Sequence, residues 1–284
     1  MIFQVYVQKK ENMSKAIAAF RPLRLIIKCY PPFSRRNIIM KINYENQAEL
    51  YEQTRGIERL VYMALSNLLI LKKEDLVLDF GCGTGDYLKQ FVLDYSIKPY
   101  GVEPASNMRK IAQKKLHPDC IRNGDHTYIP FSNSLFNKIY STDVIHHIQQ
   151  LDLFFQNIFN VAAIGAKFCI CTESSQQLGM KYWLKYFPEI LKADLQRFHS
   201  IESIIRIGEA NGWTYCETLK IENEIFAPIS TSFMERVKNK TLSVFHLITD
   251  EAYERGLSLM ETDYQKKVLL HQHEGYTFIL FERS

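Results

Sequence analysis

The chain has 284 residues, 46% of them hydrophobic and 23% charged. This is the make-up of an ordinary globular protein with a sizeable core, and it excludes a disordered or collagen-like chain. The formal net charge of +4 is concentrated at one end: residues 1–39 hold eight Lys or Arg against Glu11 alone, leaving 27 basic and 30 acidic residues elsewhere, so the body carries no electrostatic footprint for nucleic acid.

Residues 1–39 contain Pro22, Pro31, Pro32 and scattered basic side chains, and they are expected to add no element to the fold. Three readings compete for this basic extension: a surface-bound tail, a targeting peptide, or a stretch outside the working protein, with Met40 as its true start. The run MKINYENQAELYEQTRGI favours the last. Residues 40–72 then read as N-terminal cap helices. Ile57, Leu60, Val61, Ala64, Leu65 and Leu68 follow the i, i+3, i+4 spacing of a one-faced helix.

Strand and helix alternate from there. Strands are predicted at 76–80, 99–103, 120–122, 138–142 and 167–172, and helices at 86–95, 105–116 and 151–163. A helix over 201–210 has Ser200 as N-cap and Gly212 near its end. Strands at 213–221 and 276–281 close the chain. Such alternation predicts a parallel sheet with helices on both faces. Two stretches interrupt it, 176–200 and 226–270, the second with Asp250 as an expected N-cap. Both follow strand ends, where ligands sit in sheets of this kind, and both read as a cap over a substrate pocket. Tyr182, Trp183, Tyr186 and Phe187 are candidates to line that pocket as an apolar surface; plain core packing is the competing reading.

Of the six cysteines, Cys29, Cys82, Cys120, Cys169, Cys171 and Cys216, none forms a CxxC pair. Cys169 and Cys171 share one face of a predicted strand. They read as small core residues in a reducing, cytoplasmic setting. No integral membrane segment is expected, because no apolar run approaches the roughly 20 residues that a spanning helix needs. No metal site is expected either.

The run LVLDFGCGTGDYLKQF, residues 76–91, joins a buried strand to a helix through Gly81, Gly83 and Gly85. A glycine turn between strand and helix exposes bare backbone to a ligand. The spacing is G-x-G-x-G with Asp79 ahead of it, whereas a dinucleotide site has G-x-G-x-x-G. Together with Glu103 closing the next strand, it resembles the class I S-adenosylmethionine-dependent methyltransferases. The run NGDHTYIPFSNSLFNKIYSTDVIHHI resembles their type 11 branch, which includes the ubiquinone and menaquinone biosynthesis methyltransferases.

The resemblance implies a Rossmann-like, seven-stranded, mostly parallel sheet with its last strand antiparallel and helical cap insertions. It implies S-adenosylmethionine as cofactor and a small-molecule acceptor. The implied cofactor residues are Asp79, Gly81, Cys82, Gly83, Gly85, Glu103, Pro104, Met108, Asp125, His126 and Thr142. Glu103 would accept the ribose hydroxyls; Asp125 and the His126 N–H would meet the adenine. Asn133, Asn137 and Asp143 depart from the family pattern. In relatives the segment holding Tyr44, Tyr51 and Arg55 folds over the cofactor, and Arg55 would meet the methionine carboxylate or simply remain solvated.

Methyl transfer demands alignment and exclusion of water, and a base only where the nucleophile arrives protonated. His146 and His147 are the candidate catalytic bases, with a structural role as the competing reading. Adjacent residues are not expected to share one pocket. Three alternatives to a small-molecule methyltransferase stay open: an RNA or protein methyltransferase, a non-catalytic S-adenosylmethionine-binding protein, and a nicotinamide-dependent oxidoreductase.

Overall fold

The computed structural model describes residues 2–9 as backbone, then residues 48, 49 and 52, and residues 56–284. The expectations for Met40, Tyr44, Tyr51 and Arg55 lie outside the described residues. The described elements in chain order begin with β1 (Ile2–Lys9), α1 (Arg59–Leu69), β2 (Leu76–Phe80), α2 (Asp86–Tyr95), β3 (Lys98–Val102), α3 (Ser106–Lys115), β4 (Ile121–Arg122) and β5 (Phe136–Thr142). They continue with α4 (Leu151–Val161), β6 (Ala162–Thr172), α5 (Ser175–Gly179), α6 (Glu189–Arg197), α7 (Ile201–Ala210), β7 (Trp213–Ala227), α8 (Thr231–Lys238), α9 (Asp250–Gln265) and β8 (Leu270–Arg283).

One sheet runs in the order β1-β7-β8-β6-β5-β2-β3-β4. Strands β4, β3, β2, β5 and β6 are parallel, and β8 inserts antiparallel between β6 and β7. This is the expected seven-stranded, mostly parallel sheet with its last strand reversed. An eighth strand is added: Ile2–Lys9 pairs antiparallel with β7, Ile2 opposite Glu224 and Lys9 opposite Glu217. The start of the N-terminal extension therefore does contribute an element. The edge of β7 supplies the pairing, which no local pattern announces.

The period-2 alternation of a strand decides which helices each face meets. Leu78, Ile139, Phe168, Ile170, Ile279 and Phe281 point to one side, where α4 contributes Phe154, Phe155 and Ile158 and α7 contributes Ile204 and Ile205. Val77, Tyr140, Cys169, Cys171, Phe278 and Leu280 point to the other, against Val61 and Leu65 of α1, Leu88 and Phe91 of α2, and Ala112 of α3. Cys169 and Cys171 thus share a face as their spacing predicts. Each large apolar side chain buried this way contributes roughly 1.5–3 kcal/mol.

β7 and β8 run past the sheet. They stay paired out to Ala227 opposite Leu270, with β1 flanking β7 as far as Glu224, so the second insertion is carried at the ribbon's tip. There α8, α9 and the 176–200 segment make a third apolar cluster around Phe187, Phe233, Met234, Phe245, Tyr253 and Met260. Thr249, rather than Asp250, caps α9, its side chain accepting from Ala252 N–H. Tyr186 and Phe187 are 2% and 0% exposed: these two of the four expected pocket aromatics belong to the core of the cap. Among the described residues no helix is long and apolar enough to cross a membrane.

Candidate active site

The strand-to-helix turn after β2 is built by conformation and by close packing. Gly81, Gly83 and Gly85 all have positive φ, at 80°, 55° and 79°, a region only glycine enters without cost. A Cβ on Gly81 would run into Val144, and one on Gly85 would lie 3.1 Å from Ala112 Cβ. Two of the three glycines therefore make room for neighbouring protein rather than for a ligand.

Four of the turn's N–H donors are spent. Gly81 and Cys82 N–H both donate to Val102 O, at 2.8 and 3.1 Å, and Gly85 N–H donates to Cys82 O at 2.9 Å. Gly83 N–H donates to Glu103 Oε2 at 2.9 Å. A pyrophosphate would need those N–H groups. What the turn keeps is acceptors, above all Asp79. Its carboxyl is 2% exposed, and Oδ1 is buried with no hydrogen-bond partner. Burial pushes its pKa up to about 8, relieved in part by the facing Tyr140 hydroxyl and reinforced by the Glu103 charge. Tyr140 Oη is itself buried without a hydrogen-bond partner, so its help to Asp79 is electrostatic rather than a well-formed bond.

Beside the turn, Glu103 Oε1 accepts Ala105 N–H at 2.8 Å, which fixes the carboxylate at the end of β3. Arg109 Nη1 donates to the carbonyls of Glu103 and Pro104 at 2.7 and 3.0 Å, and to Asn123 Oδ1 at 3.2 Å. Arg109 was not picked out in the sequence. It sits one residue past the expected Met108, which is 2% exposed. Asp125 Oδ1 accepts Thr127 N–H at 2.8 Å and the Thr127 hydroxyl at 2.6 Å. Burial raises its pKa, but the Thr127 bonds outweigh it and hold the carboxyl below its usual range. The His126 carbonyl accepts from Asn157 at 2.9 Å.

Two cavities open on this frame. The first, of about 300 Å³, lies over the glycine turn and is lined by Asp79, Gly81, Cys82, Gly83 and Thr142, with Glu58, Tyr87, Asp143, Arg236 and Tyr276 across from them. Gly85, Glu103, Pro104, Met108, Asp125 and His126 do not line it. Of these, Glu103 and Pro104 follow the end of β3, Pro104 exposed, and Asp125 and His126 follow β4, along the rim of the sheet. The second cavity, about 370 Å³, lies under the cap and includes His146, His147, Tyr182 and Trp183. Glu58, Asp143, Arg236 and Tyr276 line both, so the two spaces meet at those four side chains.

His146 and His147 occupy a single 3₁₀ turn after β5, and this tight turn brings both to the same cavity, against the expectation that adjacent residues would diverge. His146 stacks on Phe198, ring centres 4.3 Å apart, and lies 4.1 Å from the His147 ring. The wall is not apolar: Glu173, Asp194, Glu274, Lys181, Arg197 and His273 all border it. Two of its ion pairs are internal, Lys181 with Glu173 at 2.6 Å and Arg197 with Asp194 at 2.8 Å.

Asp143 has φ 56°, a left-handed conformation that Asp tolerates better than most residues. Its N–H donates to Cys171 O at 3.2 Å, and the fold thereby sets it at the junction of the cavities. Glu58 arrives there as the N-cap of α1, its own N–H donating to the Tyr87 hydroxyl at 3.1 Å. Arg236 comes from α8 in the cap. No local motif marks Glu58 or Arg236, because they converge from distant parts of the chain. Among the described residues no group of His, Cys, Asp or Glu is placed to hold a metal ion.

Comparison with known proteins agrees with this architecture. A family model of type 11, described as a methyltransferase domain, matches residues 78–170. An uncharacterized methyltransferase of Anoxybacillus flavithermus is 36% identical over 87 residues, 31% of this chain and 41% of that protein. The malonyl-[acyl-carrier protein] O-methyltransferase of Erwinia billingiae is 25% identical over 162 residues, 57% of this chain and 64% of the relative. The chain thus spans less than two thirds of the length of either. A solved structure from Anabaena variabilis, described as a candidate methyltransferase of an antibiotic biosynthesis pathway, superposes with TM-score 0.62 at 22% identity, covering 80% of this chain and 98% of that one. It shares the fold.

Proposed function

We propose that this chain, which carries a class I S-adenosylmethionine-dependent methyltransferase domain over residues 78–170, binds S-adenosylmethionine across its glycine turn and methylates a small molecule held under the cap. The observation that carries this reading is the cavity over the turn, where four of the turn's N–H groups are already bonded and Asp79 keeps a buried unpaired oxygen, joined to a second cavity beneath the cap. S-adenosylmethionine supplies a methyl already activated on a sulfonium, next to an ammonium group; both are cations. The orphaned Asp79 Oδ1 suits a cationic donor of this kind and gives nothing to a pyrophosphate. That distinction favours this reading over a nicotinamide-dependent oxidoreductase.

In this reading the chain's own groups do three things. Asp79, Gly81, Gly83 and Thr142 hold the methionine end, while Glu103, Asp125 and the His126 backbone hold the ribose and adenine along the rim. The cap closes the acceptor cavity against water, which strengthens every charge inside it. His146 or His147 takes the acceptor's proton where there is one to lose. His146, half-buried and fixed by Phe198, is the better held of the two; His147 is exposed. The five described cysteines are free thiols, which fits a reducing cytoplasmic setting.

The test is calorimetric titration of S-adenosylhomocysteine into the purified chain, with Gly83→Val alongside. Saturable one-site binding that the variant loses is the expected result. No binding by the unaltered chain, or equal binding by the variant, contradicts the reading. A methyl-transfer assay with a panel of acceptors then separates an enzyme from a binding protein without turnover.

A further inference from the structure

We infer that the acceptor carries a cationic amine, seated where the two cavities meet and held by Glu58, Asp143 and Glu274. This rests on the methyl-transfer reading above and narrows it to a substrate class. The acceptor cavity holds five carboxylates, of which Glu173 and Asp194 are matched by Lys181 and Arg197 within the wall. Over the whole wall, five carboxylates stand against three permanently cationic side chains, Lys181, Arg197 and Arg236. Even with Arg236 fully engaged, the wall keeps an excess of negative charge.

The three carboxylates act on one spot. Burial and then the charge of Glu58 push the Glu274 carboxyl up, although the residue is exposed to solvent; Arg236 and a hydrogen bond from Asn223 relieve part of that. At Tyr276 the hydroxyl is pushed up by burial and then by Glu58, Asp143 and Glu274 in turn. Negative groups gathered this closely raise one another's energy, and a bound cation removes that cost.

A second feature of the wall points the same way. His273 on β8 is 4% exposed, lines the acceptor cavity, and has a hydrogen-bond partner at neither ring nitrogen. The nearest acid, Glu222, stands 3.9 Å away. A buried polar ring left unsatisfied in a cavity wall is costly, and a neutral imidazole nitrogen accepts an N–H. An ammonium brings up to three N–H donors and one positive charge, which answers both the carboxylates and the imidazole. Trp183 Nε1, buried without a partner on the same wall, offers one donor to an oxygen elsewhere on the acceptor.

The transfer balances. The ammonium gives one proton to a histidine of the wall. The freed nitrogen lone pair forms the N–C bond to the methyl carbon, and the C–S bond breaks with its electron pair left on sulfur. The products are an N-methylated ammonium and a neutral thioether.

The experiment titrates the full chain, saturated with S-adenosylhomocysteine, with three probes of similar shape: 2-phenylethylammonium, 2-phenylethanol and 3-phenylpropanoate. The ammonium is expected to bind about tenfold tighter than the alcohol, with the carboxylate weakest. Glu274→Gln, its melting temperature recorded to verify folding, is expected to lose most of that preference. Equal binding of ammonium and alcohol overturns the inference. So does tightest binding of the carboxylate, which would make Arg236 the determinant, and so does failure of the ammonium to bind at all. Where S-adenosylhomocysteine binds and the preference is absent, this inference alone fails. Where S-adenosylhomocysteine does not bind, the methyl-transfer reading fails and takes this one with it.

Discussion

The two cavities that meet at Glu58, Asp143, Arg236 and Tyr276 are made in opposite ways. The one over the glycine turn is local: β2, the turn and the start of α2 lie within 20 residues, and most of their backbone donors are consumed inside the segment or by the end of β3. The one under the cap is assembled from the N-cap of α1, the turn after β5, α8 and the far end of β8, none of them neighbours in sequence. A locally built site is held by backbone conformation, and one built over long range by side-chain packing. They should fail differently when broken.

Gly81→Val attacks the local site. It puts a β-branched residue at φ 80° and drives it into Val144. A loss of about 4 kcal/mol of stability is expected by denaturant unfolding, together with loss of S-adenosylhomocysteine binding. A loss under about 1 kcal/mol would show that the turn relaxes freely.

Asp79→Asn separates stability from binding. Folding raises the Asp79 pKa from 3.8 to about 8, so between those values the native chain keeps a proton that the unfolded chain has released. The stability tied to that proton is whole below 3.8 and is lost as pH rises toward 8. Asn carries no charge at any pH, so the variant gains on the parent as pH rises, by about 4 kcal/mol between about pH 5 and about pH 8, while its affinity for S-adenosylhomocysteine falls. Melting curves from about pH 5 to about pH 9 check this, and a pH-independent gap would refute it.

Gly256→Ala strikes the cap alone. A Cβ there collides with Phe187, at a cost of about 2 kcal/mol. Hydrogen exchange in α8 and α9 should speed up while exchange in β2 and β5 stays slow. Equal acceleration in both regions would mean that cap and sheet unfold as one unit.

Arg109→Ala should have the smallest effect. The guanidinium braces the carbonyls of Glu103 and Pro104 and is not itself in either cavity. Its removal is expected to weaken S-adenosylhomocysteine binding by about fivefold, near 1 kcal/mol, as read by calorimetry. A loss as large as that of Gly83→Val would make Arg109 a ligand contact.

The same contrast governs what the sequence discloses. Leu76–Phe80, Asp86–Tyr95 and Ile201–Ala210 are bounded by local signals: an apolar run, a glycine turn, and the Ser200 cap accepting Ser203 N–H. Their limits are readable residue by residue. The outer ribbon of β7 and β8 is not, because polar residues such as Glu222, Asn223 and Glu224 become strand through pairing with Gly275, Glu274 and His273 on one side and with Gln4, Phe3 and Ile2 on the other, all far off in sequence. Asp79 and Glu103 were legible because the motif around them is contiguous. Glu58, Arg236 and His273 were not, since their meaning comes from where the cap sets them. The aromatic run at 182–187 suggested an apolar pocket, but half of it packs inside the cap and the wall it leaves is charged.

The most direct test of the central claim is a crystal structure of the chain grown with S-adenosylhomocysteine. The account predicts the amino acid end of the ligand over Gly81 and Gly83 with its nitrogen near Asp79, the ribose on Glu103, and the sulfur facing the junction at Asp143 and Tyr276. A ligand seated wholly in the cap cavity, or one whose sulfur points away from that junction, would contradict it.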